Sequence, residues 1–457
     1  MAKTAARERA GFRCSECGLE TTRWVGRCPE CQAWGTLAEV GARPGLTVAA
    51  GPVSAPARPI GEVEGEGAAH RPTGIAELDR VLGGGLVPGS VVLLAGEPGV
   101  GKSTLLMAAA AQVATSGRRA LVVTGEESPA QVRMRAGRID ALADQLYLAA
   151  ETDLGALLGH VEAVCPDLLV VDSVQTMSAV GVDGAAGGVA QVREVAAAVT
   201  RVAKDRGIAT VLVGHVTKDG GIAGPRILEH LVDVVLHFEG DRHSRLRLVR
   251  TVKNRFGPAD EVGCFDLTDD GIVGLADPSQ LFLTHRDAPV PGTCVTVSME
   301  GRRALATELQ ALVGAPQQST PRRATSGLDS ARVAMLLAVL DRRAGIKLAD
   351  REVYAATVGG VRLTDPAADL GLALAIAGAC VDRPVPAGLA AIGEVGLAGE
   401  IRPVAASRAR VTEAARLGFR HVFVPPGCTG AVDGVRVVEV ATLAEALRMA
   451  GVLGSGG

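Results

Sequence analysis

Residues 96–103 read Gly-Glu-Pro-Gly-Val-Gly-Lys-Ser. This GxxxxGKS pattern commits the surrounding chain to a strand, a glycine-rich turn and a helix. The apolar run Val91–Ala95 supplies the strand, and the alanine-rich stretch Thr104–Ala114 supplies the helix. In that setting the glycines let backbone N–H groups converge on phosphate oxygens, and the helix N-terminus adds positive potential. The expected nucleotide contacts are Gly96, Glu97, Pro98, Gly99, Val100, Gly101, Lys102, Ser103 and Thr104. Lys102 is expected to neutralise the β- and γ-phosphates and Ser103 to hold Mg2+. The ligand implied is a nucleoside triphosphate.

Further strands end in polar groups. Leu168–Asp172 is four apolar residues followed by a carboxylate, a buried strand ending at the carboxyl edge of a sheet, where ligands bind. Asp172 is expected to hold Mg2+ through water. The strand Ala120–Thr124 leads into Gly125-Glu126-Glu127-Ser128. A glutamate there can polarise the attacking water; Glu126 is preferred and Glu127 is second choice, the alternative being two solvated loop acids. Thr210–Gly214 places His215 at another strand end, either as a sensor of the γ-phosphate or as a hydrogen-bonded loop histidine. With strands at Val232–Glu239 and Arg245–Lys253 and a helix over Ala190–Asp205, the pattern is α/β with a mostly parallel sheet.

Four of the nine cysteines form two CxxC knuckles, Cys14/Cys17 and Cys28/Cys31, separated by ten residues. Four thiolates on two tight turns make a closed tetrahedral site, which suits structural Zn2+ and leaves no position for a hydrolytic water. A redox dithiol pair is the alternative. In so small a module, metal binding and folding are one event. Trp24 and Trp34 flank the second knuckle and are expected to pack over the metal rather than form a contact surface.

Residues 241–257 carry Arg242, Arg245, Arg247, Arg250, Lys253 and Arg255 against one acid, Asp241. Strand alternation puts Arg245, Arg247, Val249, Thr251, Lys253 and Arg255 on one face. That face is either a solvated edge that resists aggregation, or one from which Lys253 and Arg255 reach a triphosphate or a nucleic acid. The glycine-rich loop 218–226 carries Lys218 and Arg226 and follows His215, so it could couple nucleotide state to a bound strand.

A chain of 457 residues implies several domains. The expected division is a four-cysteine zinc module at 1–40, a Gly/Pro-rich linker at 41–69, an ATPase domain at 70–286 and a C-terminal α/β domain at 287–457. In the last, strands are expected at Val295–Met299 and Ala304–Leu312, a loop at 314–327, and helices at Asp329–Arg343, Ala367–Cys380 and Ser407–Leu417. Aromatic residues are only 2% of the chain, which limits base stacking as a recognition mode. The net charge of −3 means any nucleic-acid contact needs a local basic patch. The N-terminus lacks a signal-peptide core and no apolar run is long enough for a membrane span, so a cytoplasmic protein with reduced thiols is expected.

In this order, the four-cysteine module, the phosphate loop, Gly125–Ser128, Gly-His-Val-Thr-Lys-Asp-Gly at 214–220 and Lys-Asn-Arg-Phe-Gly at 253–257 resemble the RadA (Sms) family of bacterial DNA repair proteins. The resemblance covers essentially the whole chain. It implies an N-terminal zinc ribbon, a RecA-like ATPase core, a ring-shaped hexamer and a C-terminal domain similar to that of Lon proteases. It further implies a DNA-dependent ATPase that binds single-stranded and branched DNA and drives branch migration with RecA recombinase. ATP, Mg2+ and Zn2+ are the implied cofactors. Related hexameric helicases use a Lys/Arg pair across the subunit boundary, which suggests that Arg255 acts in trans on a neighbour's nucleotide.

Two other readings compete. A RecA-like signalling or clock-type ATPase also carries paired glutamates after this strand, but the zinc module and KNRFG argue against it. A Lon-type protease needs a serine nucleophile and a lysine base. Here Ala367 stands at the serine's place in Pro366–Asp369, and the lysine's place falls near Arg408, a poor base. The C-terminal domain is therefore expected to be proteolytically inactive.

Overall fold

The computed structural model describes residues 11–40, 57, 59–62, 69–215, 227–240, 245–284, 288–316, 321–428 and 430–454. The chain divides into two compact units, 1–64 and 65–457. In the first, β1 (Gly11–Cys14), β2 (Glu20–Thr21) and β3 (Leu37–Val40) form an antiparallel sheet in the order β2-β1-β3. Among the described residues its core is Cys14, Cys28 and Leu37, with Phe12 and Leu19 against them. So small a core needs a further constraint to hold its fold.

The second unit holds two large sheets. The first runs through β4 (Val91–Gly96), β5 (Ala120–Thr124), β6 (Leu146–Ala150), β7 (Leu168–Asp172), β8 (Ala209–His215), β9 (Val234–Gly240), β10 (Leu246–Asn254), β11 (Val262–Thr268) and β12 (Gly271–Gly274). Their order is β12-β11-β10-β9-β4-β8-β7-β5-β6. The six strands from β9 to β6 in that order are parallel, and β10, β11 and β12 are antiparallel. Strands β4, β5 and β7 are buried at every residue, which is why they read as unbroken aliphatic runs. Helices α1 (Ala76–Leu82), α2 (Lys102–Thr115), α3 (Pro129–Arg138), α4 (Leu154–Val164) and α5 (Val189–Arg206) connect or cover them. Ser128 and Gln131 close a capping box that starts α3 directly after the paired glutamates.

The second sheet comprises β13 (Thr293–Glu300), β14 (Arg303–Gly314), β15 (Arg323–Ser326), β16 (Glu352–Thr357), β17 (Leu389–Ala391), β20 (His421–Val424) and β21 (Arg436–Glu439), while β18 (Glu394–Val395) and β19 (Ile401–Arg402) form a separate two-stranded sheet. Helices α6 (Ser330–Arg343), α7 (Asp369–Val381) and α8 (Ser407–Arg416) pack with the second sheet. The stretch 314–327 is not loop throughout: Arg323–Ser326 pairs in parallel with β16, a tertiary contact that local sequence does not announce. The expected helix at Ala367 begins as a 3-10 turn, Pro366–Ala368, before α7 proper.

The β13–β14 hairpin tip joins the two sheets. Arg303 pairs with Glu77 of α1 and donates to the carbonyls of Leu275 and Ala276 at 3.0 and 2.9 Å. Arg250 of β10 bridges Glu239 at 2.8 Å and Glu300 at 2.6 Å. Gly301 is required at the tip, because its φ is +58° and a Cβ there would fall 2.0 Å from the Asp260 carbonyl oxygen.

Candidate nucleotide and metal sites

The phosphate loop leaves the carboxyl end of β4 and enters α2. Gly96 is closely approached: a Cβ would lie 2.5 Å from the Phe238 carbonyl oxygen on neighbouring β9. Gly101, with φ of +112°, turns the chain into the helix. Lys102 is buried and donates to the carbonyls of Gly96 and Glu97 at 2.9 and 2.8 Å, so its ammonium spans the loop. Burial pulls its pKa down to about 8, against the opposing pull of Asp172 and Glu126.

Asp172 ends β7, two strands from β4 in the sheet order. It is buried, and its Oδ1 has no hydrogen-bond partner among the described residues. A buried carboxylate oxygen without a donor suits the hydration shell of a cation. Together with the Ser103 hydroxyl in the first turn of α2, it fits Mg2+, which when bound with ATP neutralises charge on the phosphates.

Glu126 and Glu127 are separated by their partners. Glu127 pairs with Arg135 of α3. Glu126 instead faces Asp172 and His215, the three offering ligand atoms within 4.8 Å of one another. Its Oε1 accepts from Ser173 Oγ at 2.7 Å and lies 2.9 Å from His215 Nε2. Burial alone would raise the Glu126 pKa, but the Ser173 and His215 hydrogen bonds outweigh it and hold the carboxyl below its usual range. The carboxylate can only accept, so His215 donates from Nε2–H. His215 Nδ1 is buried without a partner among the described residues.

The basic strand differs from expectation. Its intended outer face is turned inward at Arg247, Val249 and Thr251. Arg247 donates to Val100 O of the phosphate loop at 3.0 Å, and Arg245 pairs with Asp266. The acids that balance these arginines come from β9, β11 and β13, outside the window where composition showed only Asp241. A register shift between Thr251 and Lys253 then ends the alternation. Lys253 donates to the carbonyls of Glu229 and Val232, both at 2.8 Å. Arg255, half exposed, lies 3.0 Å from Asp233, whose Oδ2 accepts from Val91 N at the start of β4. Lys253 and Arg255 therefore stand at the amino edge of the parallel strands, opposite the phosphate loop. Lys218 and Arg226 lie outside the described residues.

In the N-terminal module the four cysteine sulfurs lie within 4.8 Å of one another, with Cys14–Cys31 and Cys17–Cys28 both at 3.6 Å. As bare thiols they could not all ionise. Thr36 and the Cys17 amide favour the Cys14 thiolate, taking its pKa to about 6. The Ala33 amide favours that of Cys31, but burial and the other three sulfurs outweigh it and push it to about 12. A divalent cation removes this conflict, and four sulfurs so placed fit Zn2+. Trp24 and Trp34 do not pack over the site; they are 62% and 74% exposed, with Arg27 5.8 Å from the Trp34 ring centroid.

In the C-terminal sheet, Ala367 is fully buried and Arg408 is exposed. It is Arg410 that is buried there, 2.6 Å from Asp365, whose other oxygen caps Ala367 N at 3.0 Å. Ser407 donates to Val404 O at 2.8 Å.

Residues 60–221 match the AAA domain family, residues 12–39 the rubredoxin metal binding domain and residues 358–427 the ChlI subunit of Mg-chelatase. The chain is 55% identical over 450 residues to the DNA repair protein RadA of Mycolicibacterium smegmatis, covering 96% of each. It is 53% identical to that of Mycobacterium tuberculosis, over 97% of this chain and 93% of the relative. With the RadA of Halalkalibacterium halodurans the identity is 43%, over 97% and 99%. The chain belongs to the RadA family of DNA repair proteins. As a RadA with an AAA domain it is an ATP-hydrolysing enzyme that uses ATP and Mg2+, and its ribbon binds Zn2+. No helix among the described residues is long and apolar enough to cross a membrane.

Sequence reasoning missed Ser173 and Arg410. A hydroxyl directly after the strand-end aspartate was a visible signal for the first. The second is legible only from the fold, which brings residues 365 and 410 together.

Proposed function

We propose that this chain is a DNA-stimulated ATPase motor of recombination intermediates. It works as a closed homo-oligomer, a hexameric ring, binds single-stranded and branched DNA, and drives branch migration with RecA in the cytoplasm. The observation that carries the reading is the place of Arg255. It stands about five strand residues, roughly 16 Å, from its own phosphate loop. A guanidinium there is out of reach of its own triphosphate, and, half exposed beside Asp233, it can turn to a neighbour's.

In this reading Lys102 and the amides of residues 96–104 hold the triphosphate, Ser103 and Asp172 hold Mg2+, and Glu126 orients a water and takes its proton. Arg255 of the adjoining subunit stabilises charge in the transition state. Lys253 braces the segment that presents Arg255, through its bonds to Glu229 and Val232. His215 reads the γ-phosphate through Glu126 and passes its state to Lys218 and Arg226 on DNA. The domains are 1–40, 41–69, 70–286 and 287–457. The last is a proteolytically inactive scaffold, because Ala367 offers no nucleophile. The test is ATP turnover with and without single-stranded DNA on chain of known oligomeric size. Stimulation by DNA supports the motor; equal rates would argue for a signalling ATPase.

A further inference from the structure

Ser173 follows Asp172 at the end of β7 and is fully buried. Its hydroxyl donates to Glu126 Oε1 at 2.7 Å, and His215 Nε2 occupies the same oxygen at 2.9 Å. With both donors on Oε1, no described residue hydrogen-bonds Oε2. The backbone behind this contact is fixed. The Ser173 carbonyl accepts from Thr176 Oγ1 at 2.7 Å, and Gly125 N donates to the Asp172 carbonyl at 2.9 Å. Gly125 permits the approach of the two strand ends, since a Cβ there would fall 2.2 Å from Thr176 Oγ1. A charge-assisted bond from a hydroxyl fully buried on this backbone restrains the carboxylate's rotation as well as its place.

We propose that Ser173 is a positioning residue for ATP hydrolysis: it holds Oε1 of Glu126 so that Oε2 faces the attacking water. The inference rests on the reading of Glu126 as the water-activating group. It makes Ser173 necessary for chemistry and indifferent to nucleotide binding, because the hydroxyl points at Glu126 rather than at the phosphates.

Steady-state turnover, affinity for a fluorescent ATP analogue and half-saturation by Mg2+ are measured on the full chain and on Ser173→Ala, Ser173→Cys and Glu126→Gln. Ser173→Ala should lose about 10–100-fold in kcat with nucleotide affinity and Mg2+ half-saturation within about twofold. Ser173→Cys, which keeps the volume with a weaker donor, should lose rate in the same way but less. A Ser173→Ala kcat within about twofold of the parent overturns the inference, as does a parallel loss of affinity or a raised Mg2+ requirement, which would place the hydroxyl on the metal or in folding. Glu126→Gln separates the two levels. Full activity in that variant overturns the role of Glu126 itself, whereas its inactivity beside a fully active Ser173→Ala overturns only the role of Ser173.

Discussion

Arg255 and Lys102 stand at opposite edges of one sheet. Arg255 is held 3.0 Å from Asp233 ahead of β9, while Lys102 lies beyond the far end of the adjacent β4. Arg255→Ala should therefore leave ATP binding intact and cut hydrolysis by about 100-fold or more, because a finger serves charge in the transition state. Nucleotide binding and phosphate release measured side by side check this. Basal hydrolysis retained with DNA stimulation lost, and a shallower salt dependence of DNA binding, would assign Arg255 to DNA phosphate instead.

Lys102→Ala should abolish hydrolysis without unfolding the chain, since a shortened side chain at the loop leaves the aliphatic core of the sheet in place. Hydrolysis near the parent rate in a variant with an unchanged melting curve would remove Lys102 from the site.

The depressed pKa of Lys102, about 8, predicts a pH dependence of binding. Bound triphosphate favours the charged amine. Below the free-protein pKa the amine already carries its proton and binding takes up none. Above it, binding must draw a proton onto Lys102, so affinity falls as pH rises. Calorimetry in buffers of different ionisation heat should find proton uptake at about pH 9 and little at about pH 7. Equal uptake at both would contradict the assignment.

The N-terminal module should carry one Zn2+ per chain on Cys14, Cys17, Cys28 and Cys31. Chelation should unfold it, given a core of three buried residues among those described, and leave ATP binding intact, since the nucleotide residues all belong to the other compact unit. Metal analysis of reduced protein and ATP binding after chelation check both halves.

Arg303 and Glu77 are nearly fully buried against each other where the β13–β14 hairpin meets α1. Arg303→Ala leaves the buried Glu77 carboxylate with the Cys264 amide at 2.9 Å and the half-exposed Arg80 at 3.6 Å, and should cost about 2–3 kcal/mol. Denaturant unfolding checks it; a loss under about 1 kcal/mol would mean that water replaces the guanidinium.

Parallel strands β4, β5, β7 and β8 were legible because strands buried on nearly every residue read as aliphatic runs, each followed by a polar or glycine-rich segment; the parallel edge strand β6, exposed at three of its five residues, was not. Local sequence does not separate Glu126 from Glu127; the fold does, pairing Glu127 with Arg135 of α3 and setting Glu126 beside Ser173 and His215. The basic strand misled because its counter-charges, Glu239, Asp266 and Glu300, belong to other strands. Strand β15 was missed for a related reason: four residues, Arg-Ala-Thr-Ser, acquire strand structure only from the partner that β16 provides.

The most direct test of a ring in which Arg255 completes a neighbour's site mixes two inactive proteins, Arg255→Ala and Lys102→Ala, and follows ATP turnover in verified mixed rings. Some interfaces then pair an intact phosphate loop with an intact Arg255. The account predicts that activity returns in proportion to their number; mixed rings as inactive as either parent would contradict it.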